Sequence, residues 1–134
     1  ADSEHANILE YMHVLNPHTA DFIRKITRFY CDFHWKQEKM IGCVINDPLA
    51  VAYTVDPDLC RGFDAYTAIE TGGLCMGQSV VDSMDFWHRE PNSRVLTQTD
   101  PLAFMTMFLS RVFQKGPDPV RTVLSEIMNG GDVS

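Results

Sequence analysis

Of the five Asx-Pro dipeptides in this chain, four stand where a helical pattern follows, at Asn16-Pro17, Asp47-Pro48, Asp100-Pro101 and Asp118-Pro119. No other feature constrains the fold as tightly. An Asn or Asp side chain can accept the orphan backbone N–H groups at a helix start, and Pro fits the first helical position, where its N–H is not needed. Each pair therefore predicts where a helix opens. From Pro17 to about Glu38, Phe22, Ile26, Phe29 and Phe33 recur at helical spacing and form one apolar face. Thr27, Tyr30 and His34 follow the same spacing along a neighbouring edge. Upstream, Ile8, Leu9, Met12 and Leu15 give a helical period over about Ser3 to Leu15. Asp47-Pro48 opens a short helix to about Val55, and Asp100-Pro101 opens an amphipathic one with Leu102, Met105, Phe108, Leu109 and Val112 inward. The helix after Asp118-Pro119 is expected to close at Asn129-Gly130-Gly131.

Between these helices the pattern changes. Ala65 to Thr71 is rich in Thr, Tyr and Ile and ends at Gly72-Gly73, which reads as a strand running into a turn. Val80-Val81 and Arg94 to Thr97 are further strand candidates. Helices followed by mixed strands and helices predict an α/β chain, rich in helix, with few short strands. No linker or low-complexity stretch marks an internal boundary.

The net charge of −7 argues against a nucleic-acid partner, because no basic stripe is present to displace counterions from phosphate. Arg24, Lys25 and Arg28 lie among Asp21 and Asp32, and the spacing predicts pairs of Asp21 with Lys25 and Asp32 with Lys36. No apolar run approaches the roughly 18 residues of a spanning helix. No secretory signal is visible, and the first residue is Ala1 rather than Met, as at a processed or cut end. Cys31, Cys43, Cys60 and Cys75 never form Cys-x-x-Cys, so buried or half-buried free thiols in a cytoplasmic protein are expected. Cys31 and His34 share a helix face, but two ligands make a weak zinc signal. Met76, Met84, Met105 and Met107 are expected to fill gaps in the core.

Locally, Asp47 and Asp100 cannot be told apart, since Asp-Pro-Leu-Ala occurs at both and either can be a plain helix cap. A longer pattern separates them. The run Gly42 to Tyr53, GCVINDPLAVAY, precedes Asp56-Pro57-Asp58-Leu59 and then Tyr66-Thr67-Ala68-Ile69-Glu70-Thr71-Gly72-Gly73. Met76-Gly77-Gln78-Ser79-Val80-Val81-Asp82 and Pro91-Asn92-Ser93-Arg94-Val95 continue it, and Asn16 to Phe22 and Arg28 to His34 precede it. These blocks, in this order, resemble the nucleoside hydrolase family from about Asn16 to Phe113.

The resemblance implies an open α/β sheet surrounded by helices and cleavage of the N-glycosidic bond of ribonucleosides. It also implies a calcium ion below the ribose, holding the ribose hydroxyls and an attacking water. By the resemblance Asp47 is a calcium ligand. Where the family commonly has a His near the leaving base, this chain has Asn46, which can hydrogen-bond a base but cannot deliver a proton at neutral pH. Tyr30 and His34, on the preceding helix, are the candidate catalytic proton donors and, with Asn46, the candidate substrate-binding groups. The family's Asp-rich opening signature has no counterpart here; neither Asp82-Ser83-Met84-Asp85 nor Asp56-Pro57-Asp58 matches it. Residues 1–134 are thus expected to be the C-terminal portion of a nucleoside hydrolase domain. Alone, such a portion is expected to bind calcium poorly, to be inactive, and to self-associate through uncovered apolar surface into a homo-oligomer. The alternative is a non-catalytic assembly or regulatory module derived from that family.

Overall fold

The computed structural model describes residues 2–38 and 44–129. Gly42 and Cys43 of the longer motif, and the expected stop at Gly130-Gly131, lie outside them. The chain divides into two compact units although its sequence shows no linker: residues 1–57 with 100–134, and residues 58–99.

The first unit is helical, with α1 (Asp2–Leu15), α2 (Pro17–Glu38), α3 (Asn46–Val55), α4 (Pro101–Val112) and α5 (Pro117–Asn129). Two of these four helix-opening Asx-Pro pairs act as caps. The Asn16 side chain accepts the N–H of Thr19 at 3.1 Å, and Asp100 accepts the N–H of Ala103 at 2.9 Å. The other two helices start one residue before the Asp, which places Asp47 and Asp118 inside the first turn, where a negative charge still complements the helix dipole. The most deeply buried side chains lie on α4 and α5, which pack together: Leu109, Leu124 and Val120, with Phe104, Met105 and Phe113 also buried.

On α2 the packing differs from the sequence expectation. The buried positions are Ala20 and His34, with Ile23, Thr27 and Cys31 half-buried on the same side. Phe22, Ile26, Phe29 and Phe33 face away and are exposed. Small and β-branched residues allow close helix approach on the inner side, so the larger apolar groups are left outside. Ion pairing on this helix also differs: Asp21 pairs with Arg24 at 3.2 Å and Asp32 with Arg28 at 3.8 Å. All four groups are well exposed, so neither pair contributes much stability.

The second unit is a three-stranded antiparallel sheet, β1 (Cys60–Ile69), β2 (Ser79–Asp82) and β3 (Ser93–Thr99), in the order β2-β1-β3. All three expected strands are present, and the described residues form a helix-rich α/β fold with few strands. The central strand starts five residues earlier than its β-branched run suggests, because Cys60 to Asp64 pair with Thr99 to Arg94. A bulge interrupts that pairing between Arg61 and Gly62. A Cβ on Gly62 would run into the Val95 carbonyl, so the close approach of the two strands there requires glycine. At the other end, Gly77 lies in the left-handed region with φ 93° and donates its N–H to the Glu70 carbonyl, closing the β1–β2 turn.

Of the four methionines expected inside, Met105 is buried and Met107 half-buried, whereas Met76 and Met84 are exposed on the turns of the sheet unit. The described thiols divide similarly: Cys60 is buried, Cys31 half-buried and Cys75 exposed, all free. No helix among the described residues is long and apolar enough to cross a membrane.

Candidate functional site

A cavity of about 280 Å³ opens in the helical unit. Its apolar lining comes from Leu9 and Met12 on α1, Ile23 on α2, and Met105 and Phe108 on α4. Its polar lining is small and comes from two places. Thr27 and Tyr30 project from α2, and Asn46 and Asp47 from the first turn of α3. The Thr27 hydroxyl is already donated to the Ile23 carbonyl at 2.8 Å. Three of the four site residues expected from sequence, Tyr30, Asn46 and Asp47, therefore line one recess.

His34 stands apart from them. It is buried and is not among the lining residues, but its ring meets that of Tyr30 edge-on, with centroids 4.4 Å apart. The Phe33 ring flanks it at 5.8 Å. His34 thus backs the phenol that reaches the cavity. Tyr11, between two lining residues of α1, is half-buried, and loss of hydration pushes its phenol above the usual value.

Structure separates the two Asp-Pro-Leu-Ala copies. Asp100 is a cap whose carboxylate is committed to Ala103. At α3 the capping position is Ile45, which has no side-chain acceptor, and the Asp47 carboxylate is exposed at the cavity. Sequence alone could not reveal this, because it depends on where α3 begins relative to the Asp.

The residues present do not by themselves fit calcium. The described groups at the cavity offer one carboxylate, one amide oxygen and two hydroxyls. Calcium takes six to eight oxygens and favours several carboxylates. Among the described residues no three His, Cys, Asp or Glu side chains are placed to hold one metal ion.

A second recess, of about 300 Å³, lies in the sheet unit beside Asp64, Asp82, Asp85, His88 and Glu90. Two of its acidic groups are occupied structurally. Asp82 accepts the N–H groups of Phe86 and Trp87, both at 2.7 Å, and Asp64 pairs with Arg94 at 3.0 Å. Arg89 donates to the Tyr66 hydroxyl at 2.7 Å while lying over that ring.

The sequence pattern of the family described as inosine-uridine preferring nucleoside hydrolase matches residues 2–106. The chain belongs to the nucleoside hydrolase family. The match starts earlier than the blocks at Asn16 and takes in α1. Among curated relatives of this nucleoside hydrolase chain, the pyrimidine-specific ribonucleoside hydrolase RihA of Escherichia coli strain K12 is 23% identical over 111 residues. The RihA of Enterobacter sp. strain 638 is 26% identical over 112 residues. Each alignment covers 81% of this chain and 35% of the relative, so the chain spans about a third of the length of these enzymes. Among solved structures, a purine-preferring ribonucleoside hydrolase from Gardnerella vaginalis superimposes with a TM-score of 0.64 at 24% identity, covering 79% of this chain and 34% of that one. The plant nucleoside hydrolase PpNRh1 gives 0.57 at 17% identity, over 90% and 35%. At these identities the likeness is one of fold.

Proposed function

We propose that the chain is the C-terminal portion of a ribonucleoside hydrolase, walling the cavity in which the N-glycosidic bond is cleaved. The observation that carries this reading is the convergence of Tyr30, Asn46 and Asp47 on an otherwise apolar recess within a nucleoside hydrolase chain. An apolar recess suits the flat ring of a base, and a few placed polar groups suit a ribose. In this reading the remaining oxygens for calcium come from carboxylates outside this chain, and Asp47 supplies one or two. When bound, calcium would hold the ribose hydroxyls and lower the pKa of the attacking water. Free thiols at Cys31, Cys60 and Cys75 accord with a cytoplasmic protein, and the exposed apolar face of α2 accords with a homo-oligomer.

The isolated chain is expected to release no ribose from inosine or uridine in a reducing-sugar assay, with or without calcium. Calorimetry is expected to show no micromolar calcium binding. Ribose release or tight calcium binding by the chain alone overturns the reading of it as a portion.

One observation favours the non-catalytic alternative. Asn46, at the cavity, cannot protonate a leaving base. That reading predicts silence even when the family's carboxylate-rich segment is joined to this chain; turnover by the joined protein decides against it. In such an assembled hydrolase Tyr30 and His34 are the proposed proton donors. His34→Ala removes both the proton and the ring behind Tyr30, whereas His34→Phe keeps a ring. General acid groups contribute about 10²–10⁴-fold, and losses on that scale in both variants are expected if His34 carries the proton. Rescue by Phe alone would reduce His34 to a support for Tyr30. Near-wild-type turnover in His34→Ala would remove it from the site.

A further inference from the structure

The apolar stripe on the outer side of α2 is a conspicuous surface with no partner among the described residues. Phe22, Ile26, Phe29 and Phe33 are 59%, 61%, 81% and 46% exposed. Exposure at this level along a single helix is costly unless something covers it.

The stripe's own geometry identifies what fits. Its members are spaced four, three and four residues apart, which is the seam of a short coiled coil and reads the same in both directions. A two-fold axis between Thr27 and Arg28 therefore lays Phe22 of one helix against Phe33 of another, and Ile26 against Phe29. Such self-complementarity is what an isologous contact requires. The flanking charges agree with it. Lys25 and Asp32 lie on one flank of the stripe, seven residues apart, and antiparallel pairing sets each beside the oppositely charged residue of the other copy. Lys25 holds no ion pair among the described residues, and Asp32 has only its long, exposed pair with Arg28, which Lys25 of a second copy can replace. A parallel pairing would instead set Lys25 across from Tyr30 and Asp32 across from Gln37, with no opposite charge to meet. On the opposite flank, Ile23 and Tyr30 line the cavity, so the seam runs along its rim.

We propose that the outer face of α2 is an antiparallel, two-fold interface with a second copy of this chain, with Lys25 of each copy opposite Asp32 of the other. This rests on the homo-oligomer reading above and assigns it a surface and a direction.

Sedimentation velocity on the intact chain, from 1 to 300 µM (roughly the range in which modest interfaces saturate), is expected to show a monomer–dimer equilibrium. Phe29→Glu is expected to abolish the dimer while circular dichroism stays unchanged, because the side chain is exposed. Lys25→Glu and Asp32→Lys chains are each expected to dimerise at least about tenfold more weakly. An equimolar mixture of those two variants should recover the dimer, since each then supplies the charge the other lacks. A monomer throughout the range overturns both the oligomer reading and the interface, and leaves α2 to be covered by the rest of a hydrolase. A dimer indifferent to Phe29→Glu overturns the interface alone. A dimer lost in Phe29→Glu but not recovered in the mixture overturns the antiparallel pairing.

Discussion

Asp47→Asn is expected to lower turnover of the assembled hydrolase by more than about 100-fold while leaving the melting temperature of the chain nearly unchanged. Loss of groups that merely support metal ligands already costs 10–100-fold, and a ligand itself should cost more. The stability half of the expectation follows from the geometry, because helix α3 is not capped by this carboxylate. Asp100→Asn, and more clearly Asp100→Ala, provide the internal contrast. Asp100 holds the first turn of α4 through Ala103. Its replacement by Ala should cost about 1 kcal/mol and leave turnover close to normal at temperatures where the protein is folded. Measuring kcat and urea midpoints for both positions gives a two-by-two test. If Asp47 proves to be the stabilising residue and Asp100 the one required for turnover, the site is assigned to the wrong Asp-Pro pair.

Leu109→Ala should have the largest effect on folding. The side chain is fully buried on α4, which packs on α5 with its equally buried Leu124, so truncation removes apolar contact and leaves a cavity that rigid helices cannot fully close. Such substitutions cost about 3 kcal/mol, within a range of roughly 2–5. For a chain of this size that lowers the melting midpoint by roughly 10 °C. Leu102→Ala on the same helix is only half-buried and should cost distinctly less. Equal losses at the two positions would mean that α4 does not pack through the Leu109 side. A preserved midpoint for Leu109→Ala would mean that the α4–α5 contact contributes little to the fold.

The helix starts were legible because they are encoded locally. Asn16 and Asp100 cap as their dipeptides predict, and α2 spans Pro17–Glu38 as its periodicity indicates. The strands were legible as β-branched runs, except for the first half of β1. There Arg61, Gly62 and Asp64 carry no strand signal and are held by pairing to β3 thirty or more residues away. The direction of the α2 face was not legible. Periodicity reports that a stripe is apolar, and it does not report whether the protein packs that stripe or the smaller residues on the other side.

Asp47 illustrates the same division. By itself the sequence determined the helix-forming dipeptides, the net negative charge, and the ordered blocks that place the chain among nucleoside hydrolases. Only the tertiary structure decided that Asp47 lies at an open cavity with Tyr30 and Asn46, that His34 stands behind Tyr30, and that Asp100 is committed to a cap. The physical reason is range. Caps, turns and periods are fixed by neighbours a few residues apart, whereas a cavity is fixed by packing among α1, α2, α3 and α4, which the chain brings together from widely separated positions.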